Sequence, residues 1–143
     1  MSFTSRTVFA AAHVVADPNA ANAPGAPAVV DWDATLAFRH RLWSLGLGIA
    51  DAMDTAQRGM GLDWAATKAL IQRSGAEARS VGGLICCGVG TDQLPGAPTS
   101  PYSLAEIGDA YEGQLEVVEG AGAQPVERSG DRGSQASCGC RLH

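Results

Sequence analysis

Residues 45–71 read Leu-Gly-Leu-Gly-Ile-Ala-Asp-Ala-Met-Asp-Thr-Ala-Gln-Arg-Gly-Met-Gly-Leu-Asp-Trp-Ala-Ala-Thr-Lys-Ala-Leu-Ile. Leu47 to Ala50 is a short apolar run, Asp51 to Gly61 is a polar, glycine-bearing segment, and Asp63 stands just ahead of a helical pattern that opens at Trp64. An aspartate there acts as an N-cap, its carboxylate accepting one of the backbone N–H groups that the first helical turn leaves without a partner. The stretch is therefore strand, loop and helix, the unit from which parallel α/β proteins are built. In such folds the chemistry gathers where strands end and helices have not begun. Asp51, Asp54, Thr55, Gln57 and Arg58 all fall at that end.

The same grammar extends in both directions. Upstream, Thr7 to Val15 is a continuous, mostly apolar run, as a strand covered on both faces requires. Ala16 to Pro27, with its prolines and asparagines, is loop. Asp31 or Asp33 can cap a helix whose Ala34, Phe38, Leu42 and Leu45 make one apolar face, with Gly46 as its stop. The second helix runs from Trp64 to about Ser80, with Ala66, Leu70 and Ala78 inward and Gly82-Gly83 closing it. A third strand follows from Leu84 to Val89, through Cys86 and Cys87.

Beyond a loop with Pro95, Pro98 and Pro101, Ser103-Leu-Ala-Glu106 is a capping box. It opens a helix with Ile107, Tyr111, Leu115 and Val118 on one face, closed by Gly120 and Gly122. Three βα units lie in tandem, with strand centres near Ala11, Ala50 and Ile85. A fourth strand is due near Gln124, but Pro125 to His143 has neither an apolar run nor a period, so no strand is expected there. The division is residues 1–124, three βα units, and 125–143, an aberrant and disordered tail.

A net charge of −5 and a pI near 5.0 exclude nucleic acid and anionic membrane as partners, since both need clustered Lys and Arg. No apolar run approaches the roughly 20 residues of a membrane span, and Met1 to Arg6 lacks a signal-peptide pattern, so a cytoplasmic setting is expected. Adjacent cysteines seldom bridge, and Cys86-Cys87 read as reduced, buried thiols. Cys138, Cys140 and His143 have the spacing of a partial metal clip, but structural zinc needs four ligands held by a fold. Neither a metal nor a cofactor is expected.

Three ordered segments carry a family resemblance. Asp31-Trp-Asp-Ala, Gly48-Ile-Ala-Asp-Ala-Met-Asp-Thr-Ala-Gln-Arg-Gly59 and Gly88-Val-Gly-Thr-Asp92 resemble, in order and spacing, the first three units of the dihydrodipicolinate synthase and N-acetylneuraminate lyase superfamily. The resemblance spans about Arg6 to Gln124 and is closest to a branch of unknown function with the same Met-Asp-Thr-Ala-Gln-Arg-Gly loop. It implies a (β/α)₈ TIM barrel and a class I aldolase mechanism, in which a Lys on the sixth strand forms a Schiff base with a 2-oxo acid such as pyruvate. A Tyr on the fourth strand and a hydroxyl on the second loop relay the proton. Better-known members carry Thr-Thr-Gly-Glu in that loop; here Asp54-Thr55-Ala56-Gln57 stands in its place. Thr55 matches the relay threonine, and Asp54 departs from the pattern by setting a carboxylate where an anionic substrate group should sit.

On this reading Thr55 is the catalytic candidate, and Asp51, Asp54, Gln57, Arg58, His13 and Asp92 are the substrate-binding candidates. His13 sits late in the first strand with Asp17 four residues on, a pair suited to acid–base work or to a satisfied, half-buried histidine. Asp92 is either a site residue or a turn residue. Lys68, the single lysine, lies mid-helix on a solvent-facing position, unlike a desolvated Schiff-base lysine. A whole barrel takes about 250 residues. The chain is thus expected to be an incomplete barrel from a frameshifted or truncated gene, lacking the Schiff-base Lys and relay Tyr and inactive by itself. It would form a homo-oligomer or assemble with a complementing C-terminal half. The other expectation is a small self-contained α/β module that binds an anionic metabolite.

Overall fold

A computed structural model of the chain describes residues 6–23, 25–53, 58, 61–94 and 102–127. The elements run β1 (Phe9–Ala11), α1 (Trp32–Ser44), β2 (Gly48–Asp51), α2 (Trp64–Val81), β3 (Ile85–Val89), α3 (Leu104–Gly120) and β4 (Gln124–Glu127). The strands form one sheet in the order β1-β2-β3-β4, and every neighbouring pair is parallel. Each crossover moves one strand over in the same direction, so right-handed connections bring all three helices to one face of the sheet. The helices pack side by side there, α1 against α2 and α2 against α3.

Alternation along the strands sorts their side chains. Ile49, Ile85, Cys87 and Val89 point to the helices and share a core with Ile71 and Ala78 of α2 and Val118 of α3. By register, Phe9, Gly48, Ala50, Cys86 and Gly88 belong to the opposite face. Phe9 and Gly48 are paired there, and a Cβ on Gly48 would stand 2.6 Å from the Phe9 ring. Apart from Phe9, this second face is built of small residues, and it carries no helix.

The expected caps form. Asp31 accepts the Ala34 N–H at 2.9 Å, Asp63 accepts that of Ala66 at 2.8 Å, and Ser103 and Glu106 make the reciprocal capping box. The stops at Gly46, Gly82 and Gly122 are all left-handed, with φ of 79°, 63° and 71°. Leu70 and Ala78 are buried on α2 as expected, and Ala66 is half-buried.

Three expectations need correction. The first strand is Phe9–Ala11 rather than Thr7 to Val15, and it is largely exposed, because it is an edge strand and not one covered on both faces. On α1 the buried residues are Thr35 and Arg39, whereas Phe38 and Leu45 lie at the surface. A mid-helix arginine turns inward because a carboxylate waits for it across the layer. Finally, a fourth strand does form: β4 pairs in parallel with β3, Cys87 opposite Pro125 and Gly88 opposite Val126. Proline is tolerated on an edge strand, where the missing N–H need not serve a second neighbour, and four residues of backbone pairing need no apolar run.

Candidate functional site

The polar residues at the C-terminal ends of the strands assemble into two buried arginine clusters. In the first, Arg39 of α1 forms a two-pronged ion pair with Asp51 at the end of β2, Nε to Oδ2 at 3.0 Å and Nη2 to Oδ1 at 2.6 Å. Its Nη1 donates to the carbonyls of Thr35 at 2.8 Å and His13 at 3.1 Å. Both side chains are fully buried. Such a pair is tolerable because nearly every donor of the guanidinium has an acceptor. Asp51 Oδ1 also accepts the N–H of Ala52 at 3.0 Å.

Ala52 is the one non-glycine among the described residues with a positive φ, 51°. Left-handed alanine is disfavoured, and such backbone persists where surrounding contacts hold it. Here the holding contact is Asp51, itself held by Arg39. The chain leaves β2 at an angle set by this cluster.

In the second cluster Arg58, 1% exposed, reaches from the β2–α2 loop to the end of β3 and the middle of α3. Its Nε donates to Asp92 Oδ2 at 3.2 Å, its Nη1 to the Gly88 carbonyl at 2.6 Å, and its Nη2 to Asp92 Oδ1 and to Gln114 Oε1. Gln114, fully buried on α3, also accepts the Gly90 N–H at 2.7 Å and donates to Asp92 at 2.9 Å and to Gln93. Burial alone would raise the Asp92 pKa, but the hydrogen bonds from Arg58 and Gln114 outweigh it and hold the carboxyl below its usual range. The Arg58 guanidinium lies over the Trp64 ring, 5.5 Å from its centroid.

Asp51, Arg58 and Asp92 thus stand at the strand ends, each committed to a partner. Asp51 shares its face with Ile49, so it points to the helix layer and not to the open face. His13 lies past the end of β1 and is exposed; its carbonyl, not its ring, serves the cluster. Asp17 accepts the N–H of Asn19 in a local turn. Asp54, Thr55 and Gln57 lie outside the described residues, as do Cys138, Cys140 and His143. Lys68 is exposed on α2. Burial pushes the thiols of Cys86 and Cys87 up, with the Asp51 charge adding to it, so both stay protonated.

Arg39 and Gln114 are the residues that sequence reading missed. Each sits mid-helix, where a long polar side chain reads as solvent-facing. The one available signal is position: Arg39 follows Thr35 by one turn, and Gln114 lies between Ala110 and Val118, four residues from each, on a stripe that is otherwise apolar.

Among the described residues, no group of three or more His, Cys, Asp or Glu side chains could hold a metal ion, and no helix is long and apolar enough to cross a membrane. No curated protein matches the chain. The model of a family described as a protein of unknown function, DUF993, matches residues 1–132, and with its two arginine clusters inside that span the chain belongs to this family.

Proposed function

We propose that this chain supplies the opening wall of a (β/α)₈ barrel enzyme, a Schiff-base-forming lyase or aldolase of the dihydrodipicolinate synthase type acting on a 2-oxo acid. The observation that carries the reading is the strand order. Four parallel strands follow one another in sequence order, with their helices on one face. A doubly wound sheet reverses its order and covers both faces, whereas a barrel keeps the order and leaves one face for its interior. Phe9, Gly48, Ala50 and Gly88 share the uncovered face, the one that a barrel turns to its interior. The two arginine clusters tie together the loops after β1, β2 and β3, which is the rim where a barrel binds substrate.

In this reading Thr55 supplies the relay hydroxyl, and Asp54 and Gln57 belong to the substrate-binding set. Lys68, the only lysine, is exposed on a helix and makes no Schiff base, so the chain alone is inactive. Closing the barrel takes further strands, from a homo-oligomer or a complementing C-terminal half, in a cytoplasmic setting. The test is to translate the coding DNA downstream of codon 132 in all three forward frames. Further βα units with a Tyr and a Lys at strand ends are expected; no such unit in any frame ends the reading. A self-contained module for an anionic metabolite would want a free cation at this rim, and Arg39 and Arg58 are both neutralised by aspartates.

A further inference from the structure

We propose that Gln114 is a positioning residue, which fixes Arg58 of the β2–α2 connection at the sheet's rim. A glutamine amide has two acceptor and two donor positions, and those of Gln114 are all used: Oε1 by Arg58 and Gly90, Nε2 by Asp92 and Gln93. Such a side chain has one orientation. Reversing the amide would turn Nε2 toward the Arg58 guanidinium and Oε1 toward the Asp92 carboxylate, a donor against a donor and an acceptor against an acceptor.

Gln114 thereby makes three elements agree on one geometry. Asp92 and Gly90 belong to the turn after β3, Arg58 belongs to the loop after β2, and Gln114 itself is anchored by the packing of α3, where Ala110 and Val118 are buried one turn to either side. Among the described residues Asp92 is the ion-pair partner of Arg58, and Gln114 orients that partner. The Arg58 backbone N–H donates to the Met53 carbonyl at 3.3 Å, so placing its side chain also holds Arg58 against the chain just past β2. The seat of Arg58 on the rim is therefore decided by a residue 56 positions away, on the third helix. The mechanics of this clamp stand by themselves; its bearing on substrate rests on the barrel reading given above.

Trypsin tests the mechanics directly, because it must draw the arginine side chain itself out of the protein. Gln114→Leu removes all four hydrogen bonds at similar volume, and Asp92→Asn removes the charge partner, should the first variant fail to fold. Cleavage after Arg58 in the full chain is expected to rise about 10- to 100-fold in either variant, the range set by lost hydrogen bonds to a charged group, while cleavage after Arg41 and Arg73 stays at the wild-type rate. Unchanged cleavage after Arg58, or an equal rise at all three sites, overturns the proposal. Titration of the isotope-labelled full chain with pyruvate, followed by amide resonances at the ends of β2 and β3, tests the consequence. Shifts present in wild type and lost in Gln114→Leu are expected, and shifts equal in both overturn it. Absence of shifts in wild type counts against the barrel reading alone, and the trypsin result still decides the clamp.

Discussion

Arg39 and Asp51 illustrate how much one buried pair can carry. Both are fully buried, and removing one leaves the other's charge in the protein interior without compensation. Asp51→Ala and Arg39→Ala are each expected to cost about 3–5 kcal/mol in urea denaturation, while the double variant Arg39→Met with Asp51→Leu costs markedly less, because no lone charge remains. Asp92 predicts a pH dependence. Its folded pKa lies below that of the unfolded chain, so the stability it contributes is present above about pH 3.9 and is lost as the pH falls through the folded value. Acid unfolding of Asp92→Asn, measured by circular dichroism, should show a shallower loss below that point than the wild type, since the asparagine has no proton to take up.

The helices are held by devices of two ranges. Their ends depend on local chemistry, such as the Ser103–Glu106 capping box, whose carboxylate sits below its usual range because it accepts the Ser103 N–H and hydroxyl. Their seating depends on contacts far apart in the chain. Gly75, in the middle of α2, is there because Ala121 closes against it: a Cβ at residue 75 would stand 2.3 Å from the Ala121 carbonyl oxygen. Helix propensity alone favours alanine at that position. Gly75→Ala is expected to lower stability by about 1–3 kcal/mol in a thermal melt, the overpacking cost outweighing the propensity gain. A neutral or stabilising result would mean that α2 and α3 slide apart freely.

For the whole molecule, the sheet order matters more than any one strand. β4 covers the edge of β3, including the backbone around Cys87 and Gly88 at the centre of the core. A chain ending at residue 123 should therefore melt earlier and less cooperatively than one ending at residue 132, where the family match ends. Equal melting of the two would make β4 an ornament of the edge. The contrast bears on the tail as well. With a strand through Glu127, the ordered sheet runs past Pro125, the point at which composition changes character.

Local and periodic signals in the sequence determined the three strand–loop–helix units, the capping aspartates, the glycine stops and the buried third strand, because each of these depends on residues within a few positions of one another. They also drew the polar candidates to the strand ends. What the tertiary structure alone decided is which partners the described polar residues meet. Asp51 and Arg58 look like site residues in sequence, yet each is bound to a partner, Arg39 or Asp92, brought to it by the stacking of helix on sheet. It likewise turned α1 to bury Thr35 and Arg39, keeping Leu42 of the apolar stripe on the core and leaving Phe38 and Leu45 at the surface, and made a strand of Gln-Pro-Val-Glu. The physical reason is the same in each case: a buried charge or an unpaired strand edge is satisfied by groups distant in sequence, and no local pattern records which group will arrive.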